Sequence, residues 1–193
     1  MTPNPEELKD VKIEETPIET PVKIDAEEVP VEYKPNPILE RIVPKHDKKS
    51  REVLESDIDK VVEDVKILHE ICFQRHGFYG GAYAMHHAQI DDKDPLNFFV
   101  EASGKIIINP VITRHSNYTV DSKEACMTFP NNPPAIVQRW HKCEVEYVTL
   151  MVDPEDETKF KFSSLIQEKL SGPDAFVFCH EYDHGQAKYI YTN

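Results

Sequence analysis

The chain ends in a histidine pair whose spacing suits metal chemistry. His180 and His184 are four residues apart, so a helix there places both imidazoles on one face, where they can bind one metal ion. Glu181 lies beside the first histidine and is placed to handle protons in a reaction at that metal. Many helices of this kind have a third ligand further along the chain, but the nine residues after His184 contain no His, Cys, Asp or Glu. The third protein ligand must therefore lie upstream.

The best upstream ligand is Cys126, within the stretch Glu124-Ala125-Cys126-Met127-Thr128. A thiolate is a strong metal ligand, and this stretch lies in a proline-rich turn region rather than in a regular strand. One thiolate and two imidazoles leave the fourth position of a tetrahedral site open for water, which is typical of catalytic sites. The four cysteines of the chain are few and widely spaced, so they predict no disulfide framework.

Two helices are predicted to support this site. Ser56 is the expected N-cap of the first helix, and an apolar face continues from there until Gly77 ends it. The residues of that face are Ile58, Val61, Val62, Val65, Leu68 and Cys72. Pro173 lies in the first turn of the second helix, which carries the histidine pair.

Strands are predicted between the two helices. Phe98–Val100 and Lys105–Ile108 are β-prone runs joined by a turn at Gly104. Lys142–Val152 alternates apolar and polar residues with period two, as a half-buried strand should. Strands with one helix before them and one after them predict an α+β fold.

Residues 1–37 differ from the rest of the chain. They contain seven of the fifteen prolines, no glycine, ten acidic side chains and four lysines. A segment of this composition buries too little apolar surface to fold alone. We therefore expect an acidic, proline-rich extended arm that is disordered unless a partner binds it, followed by a folded domain over residues 38–193.

The charge of the chain disfavours several classes of partner. There are 22 basic and 35 acidic side chains, giving a net charge of −13, which repels nucleic acid and anionic lipid surfaces. The sequence has no secretory signal pattern, no Arg-rich transit peptide and no long apolar run. We therefore expect a bacterial-type cytoplasmic location.

Three ordered stretches resemble the motifs of the peptide deformylase family, which are similar to GxGLAAPQ, EGCLS and HExDH. The matching stretches are Ala82–Gln89, Glu124–Thr128 and His180–His184, with Ile108-Asn109-Pro110 between the first two as in the family. The resemblance covers residues 37–190 and leaves the arm out. It implies small antiparallel or mixed sheets around a central C-terminal metal-binding helix, with an N-terminal core helix. Residues 38–193 would then be a peptide-deformylase-like catalytic domain.

The resemblance also implies a role for each residue of the site. The metal ligands would be Cys126, His180 and His184. Fe2+ is the expected ion, with Zn2+, Ni2+ or Co2+ as alternatives, because these ligand types do not name the metal by themselves. Glu181 would act as general base for the attacking water and then as acid for the departing amine. The Gln89 side-chain amide and the Met127 backbone N–H would donate to the oxyanion.

A pocket for the methionine side chain of the substrate is implied in the same way. It would be lined by Tyr83, Phe176 and Val177, although the last two could equally be ordinary core residues. Asp183 is expected to orient a ligand histidine or to pair with Arg139, unless it is a plain surface carboxylate.

The departures from the family pattern are as informative as the matches. Ala82 and Ala84 replace the two glycines of the first motif, and His86-His87 replaces a pair of alanines, so the backbone must pack around bulkier side chains. Alternation along a strand predicts that one of these imidazoles faces the core and the other a wall of the site. After the second metal-binding histidine, Gly185 replaces a usual leucine, and the short C-terminus resembles forms that some phages carry.

The function implied is that of a metal-dependent hydrolase. It would remove the formyl group from the N-terminal formyl-methionine of nascent chains, near the ribosome, in the cytoplasm of a bacterium or of a phage-infected host. One alternative is a catalytically weak deformylase-like binding or assembly protein, such as a phage or virion component, whose arm docks on a partner. The altered first motif favours this alternative. Another is a small zinc peptidase, which the missing downstream ligand disfavours.

Overall fold

The computed structural model describes residues 37–73 and 81–191. The predicted arm therefore lies outside the described residues except for Pro37, and so does the predicted helix end at Gly77. Across the described ranges, no helix combines the length and the apolar character that crossing a membrane requires.

The N-terminal helix α1 spans Ile58–Phe73 and confirms the predicted core helix. A 3-10 turn over Glu55–Asp57 leads into it. Ser56 lies inside that turn and is not the cap. The N-cap of this turn is Leu54, whose backbone N–H donates to Asp57 Oδ2 at 2.8 Å. The buried residues of α1 are Val61, Asp64, Leu68, Ile71 and Cys72.

The described residues form nine strands and a second long helix. The strands are β1 (Ala84–His86), β2 (Phe98–Glu101), β3 (Ile106–His115), β4 (Thr119–Glu124), β5 (Ala135–Trp140), β6 (Lys142–Val148), β7 (Leu150–Asp153), β8 (Asp156–Phe162) and β9 (Ile166–Ser171). The second helix, α2, spans Pro173–Gly185. Five strands pair antiparallel in the order β1-β2-β3-β6-β9, and β4-β5 and β7-β8 form separate two-stranded ribbons.

The five-stranded sheet has core on both of its faces. Phe98, Val100 and Ile108 belong to one buried cluster, which also contains Val61, Leu68 and Ile71 of α1. The alternate residues Phe99 and Ile107 belong to a second cluster, with Ala175, Phe178 and Cys179 of α2. Because successive side chains of a strand point to opposite faces, the continuous apolar runs of β2 and β3 bury one helix on each side. The predicted α+β class is confirmed, and α2 packs on one face of the five-stranded sheet.

Several strands differ from the prediction, and β8 and β9 were not predicted at all. The run Lys142–Val152 is not one strand, because its ladder is interrupted at Thr149, which pairs with Ser163 instead (Thr149 N–H to Ser163 Oγ, 3.0 Å). The ribbon β4-β5 is additional to the prediction. Its strand β4 reads TVDSKE, which is largely polar and exposed and therefore has no alternating apolar pattern to reveal it.

Candidate metal centre

Helix α2 and the turn after β4 bring one thiol and two imidazoles together. One nitrogen of His180, one of His184 and the sulfur of Cys126 lie within 4.8 Å of one another. Cys126 Sγ is 3.3 Å from His184 Nε2, and the centroids of the two histidine rings are 4.9 Å apart. Of all the His, Cys, Asp and Glu side chains in the described ranges, only these form a group with the spacing of a metal site.

The sequence of α2 explains why both imidazoles face the turn. Pro173 opens the helix, and the residues buried against the sheet include Ala175, Phe178 and Cys179. With this apolar stripe held by the sheet, the next turns present His180 and His184 one above the other on a different face. The turn that carries Cys126 is closed by a bond from Phe129 N–H to Cys126 O, at 2.9 Å.

A buried ion-pair network orients His180. Its Nδ1 is 2.8 Å from Glu124 Oε2. Arg139 Nε donates to Glu124 Oε1 at 2.8 Å, and Arg139 Nη1 donates to Asp183 Oδ2 at 2.5 Å. Asp183 therefore pairs with Arg139, one of the two roles expected for it, and it is linked to His180 through Arg139 and Glu124.

Sequence reasoning named Arg139 only as a partner for Asp183, and it gave Glu124 no role of its own in the candidate site. The position of Glu124, two residues before Cys126 in the second motif, was the available signal. Burial opposes ionisation of Glu124, but hydrogen bonds from Arg139 and His180 outweigh it and lower its pKa to about 2. Burial likewise opposes the charge on His180, but hydrogen bonds with Cys126 and Glu124 raise its pKa to about 10. The carboxylate stays ionised and can hold the Nδ1–H of its histidine.

The donor set fits a divalent metal such as iron or zinc. Because Glu124 takes Nδ1 of His180, its Nε2 remains for a metal, and Nε2 of His184 already faces the thiol. A soft thiolate with two imidazoles is suited to either ion. The thiol and His184 are buried and His180 is nearly so, which limits competition from bulk water.

Glu181 is a buried carboxyl group next to His180 in the sequence. The residue is 3% exposed, and burial raises its pKa to about 7 against the opposing effect of His180. Within residues 37–73 and 81–191, its Oε2 atom has no hydrogen-bond partner. A carboxyl group with a pKa near neutrality can both accept and return a proton.

Gln89 lies next to the thiol of Cys126 and is carried by the 3-10 turn His87–Gln89, which follows β1. Its Oε1 accepts the backbone N–H of His86 at 2.9 Å, which fixes the amide so that Nε2 points the other way. Nε2 lies 3.2 Å from Thr128 Oγ1 and 3.7 Å from Cys126 Sγ. The predicted donor therefore lies beside the thiol.

Met127 follows Cys126 and is half-buried. It lines a cavity of about 270 Å³ together with Thr128, Pro130 and four residues of the N-terminal segment, Leu39, Ile42, Val43 and Pro44. The cavity therefore adjoins the second motif, and Val43 N–H donates to Gln89 O at 2.8 Å on the same side.

The three residues expected to form the methionine pocket are not gathered in one cavity. Tyr83 is 82% exposed. Tyr83 and Val177 line a cavity of about 330 Å³, whose other lining residues include Glu101, Lys105 and Asp174. Phe176 is not among those lining residues, and its ring centroid is 6.4 Å from that of His141. Both Phe176 and Val177 pack against the core cluster on the α2 side of the sheet.

The unusual histidines of the first motif are both completely buried and lie on opposite sides of the sheet. His87 faces α1, with its Nε2 2.9 Å from Asp64 Oδ2. His86 faces α2, where a Cβ atom added to Gly185 would come within 3.1 Å of its Nε2. The opposite orientations agree with strand alternation, and the missing side chain at Gly185 makes room for the ring of His86.

The family comparison agrees with this geometry. The family model described as polypeptide deformylase matches residues 30–193. A peptide deformylase of Karelsulcia muelleri (strain GWSS) is 30% identical over 97 residues, which are 50% of this chain and 45% of that protein. The match thus spans less than half the length of that relative. The chain belongs to the polypeptide deformylase family.

Solved structures show the same fold at low sequence identity. A peptide deformylase from Thermotoga maritima superposes with a TM-score of 0.59 at 22% identity, over 80% of this chain and 89% of that chain. One from a Vibrio parahaemolyticus bacteriophage, solved with actinonin, has a TM-score of 0.57 at 23% identity, over 77% and 95%. One from Acinetobacter baumannii has a TM-score of 0.61 at 16% identity, over 77% and 94%. The implied peptide-deformylase fold is confirmed.

Proposed function

We propose that this protein is a metal-dependent peptide deformylase, which hydrolyses the N-formyl group of formyl-methionine at the start of nascent polypeptides. The observation that carries the proposal is the group of Cys126, His180 and His184 with a buried carboxyl group, Glu181, beside it. Membership of the polypeptide deformylase family supports the same conclusion.

The proposed chemistry assigns one task to each side chain. Cys126, His180 and His184 would hold a divalent metal, which polarises a carbonyl oxygen and lowers the pKa of water. Glu181, a buried carboxyl group beside the three metal-binding side chains, takes a proton from the attacking water and returns it to the departing amine. The Gln89 amide and the Met127 backbone N–H stabilise the negative charge that develops on the formyl oxygen.

The methionine pocket is proposed to include Tyr83 and Val177, which line the cavity of about 330 Å³. Phe176 would contribute from the first turn of α2, since it is half-buried and one turn before His180. Polar neighbours such as Lys105 and Glu168 also line this cavity. We expect the apolar side chains to take the thioether and the polar ones to remain at the rim.

Iron is the proposed native metal, with zinc, nickel and cobalt as alternatives, because a thiolate with two imidazoles accepts all four. The proposed place of action is the cytoplasm of a bacterium or of a phage-infected host, where formylated nascent chains occur. Comparing turnover after anaerobic loading with each metal would rank them, and the highest turnover is expected with Fe2+.

The test is hydrolysis of formyl-Met-Ala-Ser by protein loaded anaerobically with Fe2+. Wild-type protein should release formate, and Glu181→Gln should lose nearly all turnover because the general base is removed. Glu157→Gln, a matched change on an exposed carboxylate, should be as active as wild type.

Two results would contradict the proposal in different ways. Wild-type turnover no higher than that of Glu181→Gln would contradict the enzymatic function and favour a binding or assembly protein. Cleavage of an internal peptide bond without formate release would indicate a peptidase.

A further inference from the structure

His87 is a completely buried histidine with both ring nitrogens in use. Its Nδ1 accepts the backbone N–H of Leu96 at 2.9 Å, and its Nε2 is 2.9 Å from Asp64 Oδ2. Because a backbone N–H can only donate, Nδ1 carries no proton and Nε2–H donates to Asp64. The ring also packs against Phe98, with centroids 4.9 Å apart. One tautomer and one ring orientation are therefore imposed.

Asp64 is an acidic residue on the buried face of α1 and is itself held in place. Lys60 Nζ donates to Asp64 Oδ2 at 2.8 Å, and the same ammonium group is 3.2 Å from Asp91 Oδ2. The residue is only 7% exposed. A carboxylate buried to this extent needs its partners, so the bond to His87 joins α1 firmly to the end of β1.

His87 is also the first residue of the turn that presents Gln89. Its carbonyl oxygen accepts the N–H groups of Ile90 at 3.0 Å and Asp91 at 3.1 Å, which closes the turn. The amide of Gln89 is oriented by the N–H of His86, the residue just before His87. A shift of the backbone at residues 86 and 87 would therefore move the Gln89 amide relative to Cys126.

The other side of the turn is held separately. Val43 N–H donates to Gln89 O at 2.8 Å, and His46 Nε2 is 2.8 Å from Ala88 O. These contacts come from the N-terminal segment and do not involve α1. The His87–Asp64 bond connects the start of the turn to helix α1.

We propose that His87 and Asp64 are positioning residues for Gln89, holding its amide where it stabilises the oxyanion; the kinetic consequence rests on the proposed deformylase function. The side chains do not contact the reacting atoms. They act by fixing the backbone from which the Gln89 amide projects, so their loss should affect the chemical step more than substrate binding.

The test separates the two bonds of the ring. In His87→Gln the side-chain amide nitrogen lies where Nε2 was and can still donate to Asp64. In His87→Asn the shorter side chain can still accept from Leu96 N–H but does not reach Asp64. We expect His87→Asn and His87→Ala to lower kcat about tenfold to a hundredfold with KM within about twofold of wild type, and His87→Gln to retain most of kcat.

A second readout does not depend on activity. The side-chain amide resonances of Gln89, assigned by their absence in Gln89→Glu, should move in His87→Asn and stay near their wild-type positions in His87→Gln. His69→Ala is the matched control, since His69 also lies on α1 and bonds to β2 through Glu101 O at 3.2 Å, away from the turn. It should leave both kcat and the Gln89 resonances unchanged.

The proposal is overturned if His87→Asn and His87→Gln behave alike, or if His87→Ala has the wild-type kcat. If His87→Ala fails to fold, the comparison of His87→Asn with His87→Gln still tests the positioning role, because both variants retain a polar side chain of intermediate volume. If wild-type protein shows no deformylation at all, the proposed function fails. The Gln89 resonances then decide on the positioning pair alone.

Discussion

At the scale of single residues, two departures from the family pattern form one packing unit. A side chain at Gly185 would place its Cβ 2.8 Å from Asn97 Oδ1 and 3.1 Å from His86 Nε2. His86 itself is 0% exposed. A residue larger than glycine at position 185 would therefore meet both Asn97 and the ring of His86.

This pairing predicts a non-additive double mutant. Gly185→Leu alone should destabilise the protein by about 1–3 kcal/mol, because it overpacks the space beside His86. Combined with His86→Ala, the same change should cost less, with a coupling free energy of about 0.5–3 kcal/mol. Urea unfolding of the wild type, both single variants and the double variant gives the cycle. Strictly additive effects would show that the two positions are independent.

The burial of His86 also predicts a dependence of stability on pH. Burial lowers the pKa of His86 from 6.5 to about 3. Between pH 6.5 and about pH 3, the His86 imidazole is protonated in the unfolded chain but stays neutral in the folded protein. The free energy of unfolding therefore decreases as the pH falls. From pH 7 to pH 5 this group should account for about 2 kcal/mol of lost stability.

The measurement compares urea unfolding at pH 7 and pH 5. His86→Ala should lose about 2 kcal/mol less than wild type over this interval, whatever its stability at pH 7. His115→Ala removes an exposed imidazole and should keep the wild-type dependence. Equal losses for wild type and His86→Ala would contradict the assignment.

At the scale of elements, the central sheet depends on the hairpin between β2 and β3. Gly104 has a φ of 96° in its turn, and its N–H donates to Glu101 O at 2.9 Å. Side chains other than hydrogen are strained at this φ. The strands on either side carry Phe98, Phe99 and Ile107, which lie in the two core clusters.

Gly104→Ala should therefore destabilise the protein by about 1–2 kcal/mol through backbone strain. The midpoint of urea unfolding should fall while its slope stays constant, since the unfolded surface does not change. Ser103→Ala, in the same exposed turn, should stay within about 0.5 kcal/mol of wild type. A Gly104→Ala variant as stable as Ser103→Ala would show that the turn tolerates a different conformation.

At the scale of the whole molecule, the candidate metal centre joins segments distant in sequence. Cys126 lies in the turn after β4, whereas both histidines lie on α2, and Glu124 and Arg139 of the β4-β5 ribbon pair with each other and with α2. A bound ion would therefore tie the ribbon to the central helix. An ion that binds only the folded state also stabilises it.

Metal binding is thus predicted to raise stability by about 2.7 kcal/mol at a free metal concentration one hundred times Kd. Urea unfolding with metal and after chelator treatment gives the increment. Cys126→Ala should lose most of the stabilisation by metal. Cys72→Ala removes a buried thiol of α1 that is not part of the metal-binding group. It should be less stable overall but should keep the full stabilisation by metal. An increment that persists in Cys126→Ala would place the ion elsewhere.

Several features of this protein could be predicted because they depend on residue type and short-range spacing. Helical periodicity identified α1, the β-prone runs identified β2 and β3, and the four-residue interval placed both histidines on one face of α2. The strands β4 and β8 were not predicted from the sequence, because they are largely polar and exposed and have no alternating apolar pattern. Their pairing depends on the neighbouring strands.

The sequence by itself therefore determined the type and order of the candidate ligands and the helix that carries two of them. Only the tertiary structure decided which distant side chains meet. The contacts of Glu124 with His180, of His87 with Asp64 and of Gly185 with His86 join residues more than twenty positions apart. Local propensity acts over a few residues, whereas these contacts depend on how the two helices pack on opposite faces of one sheet.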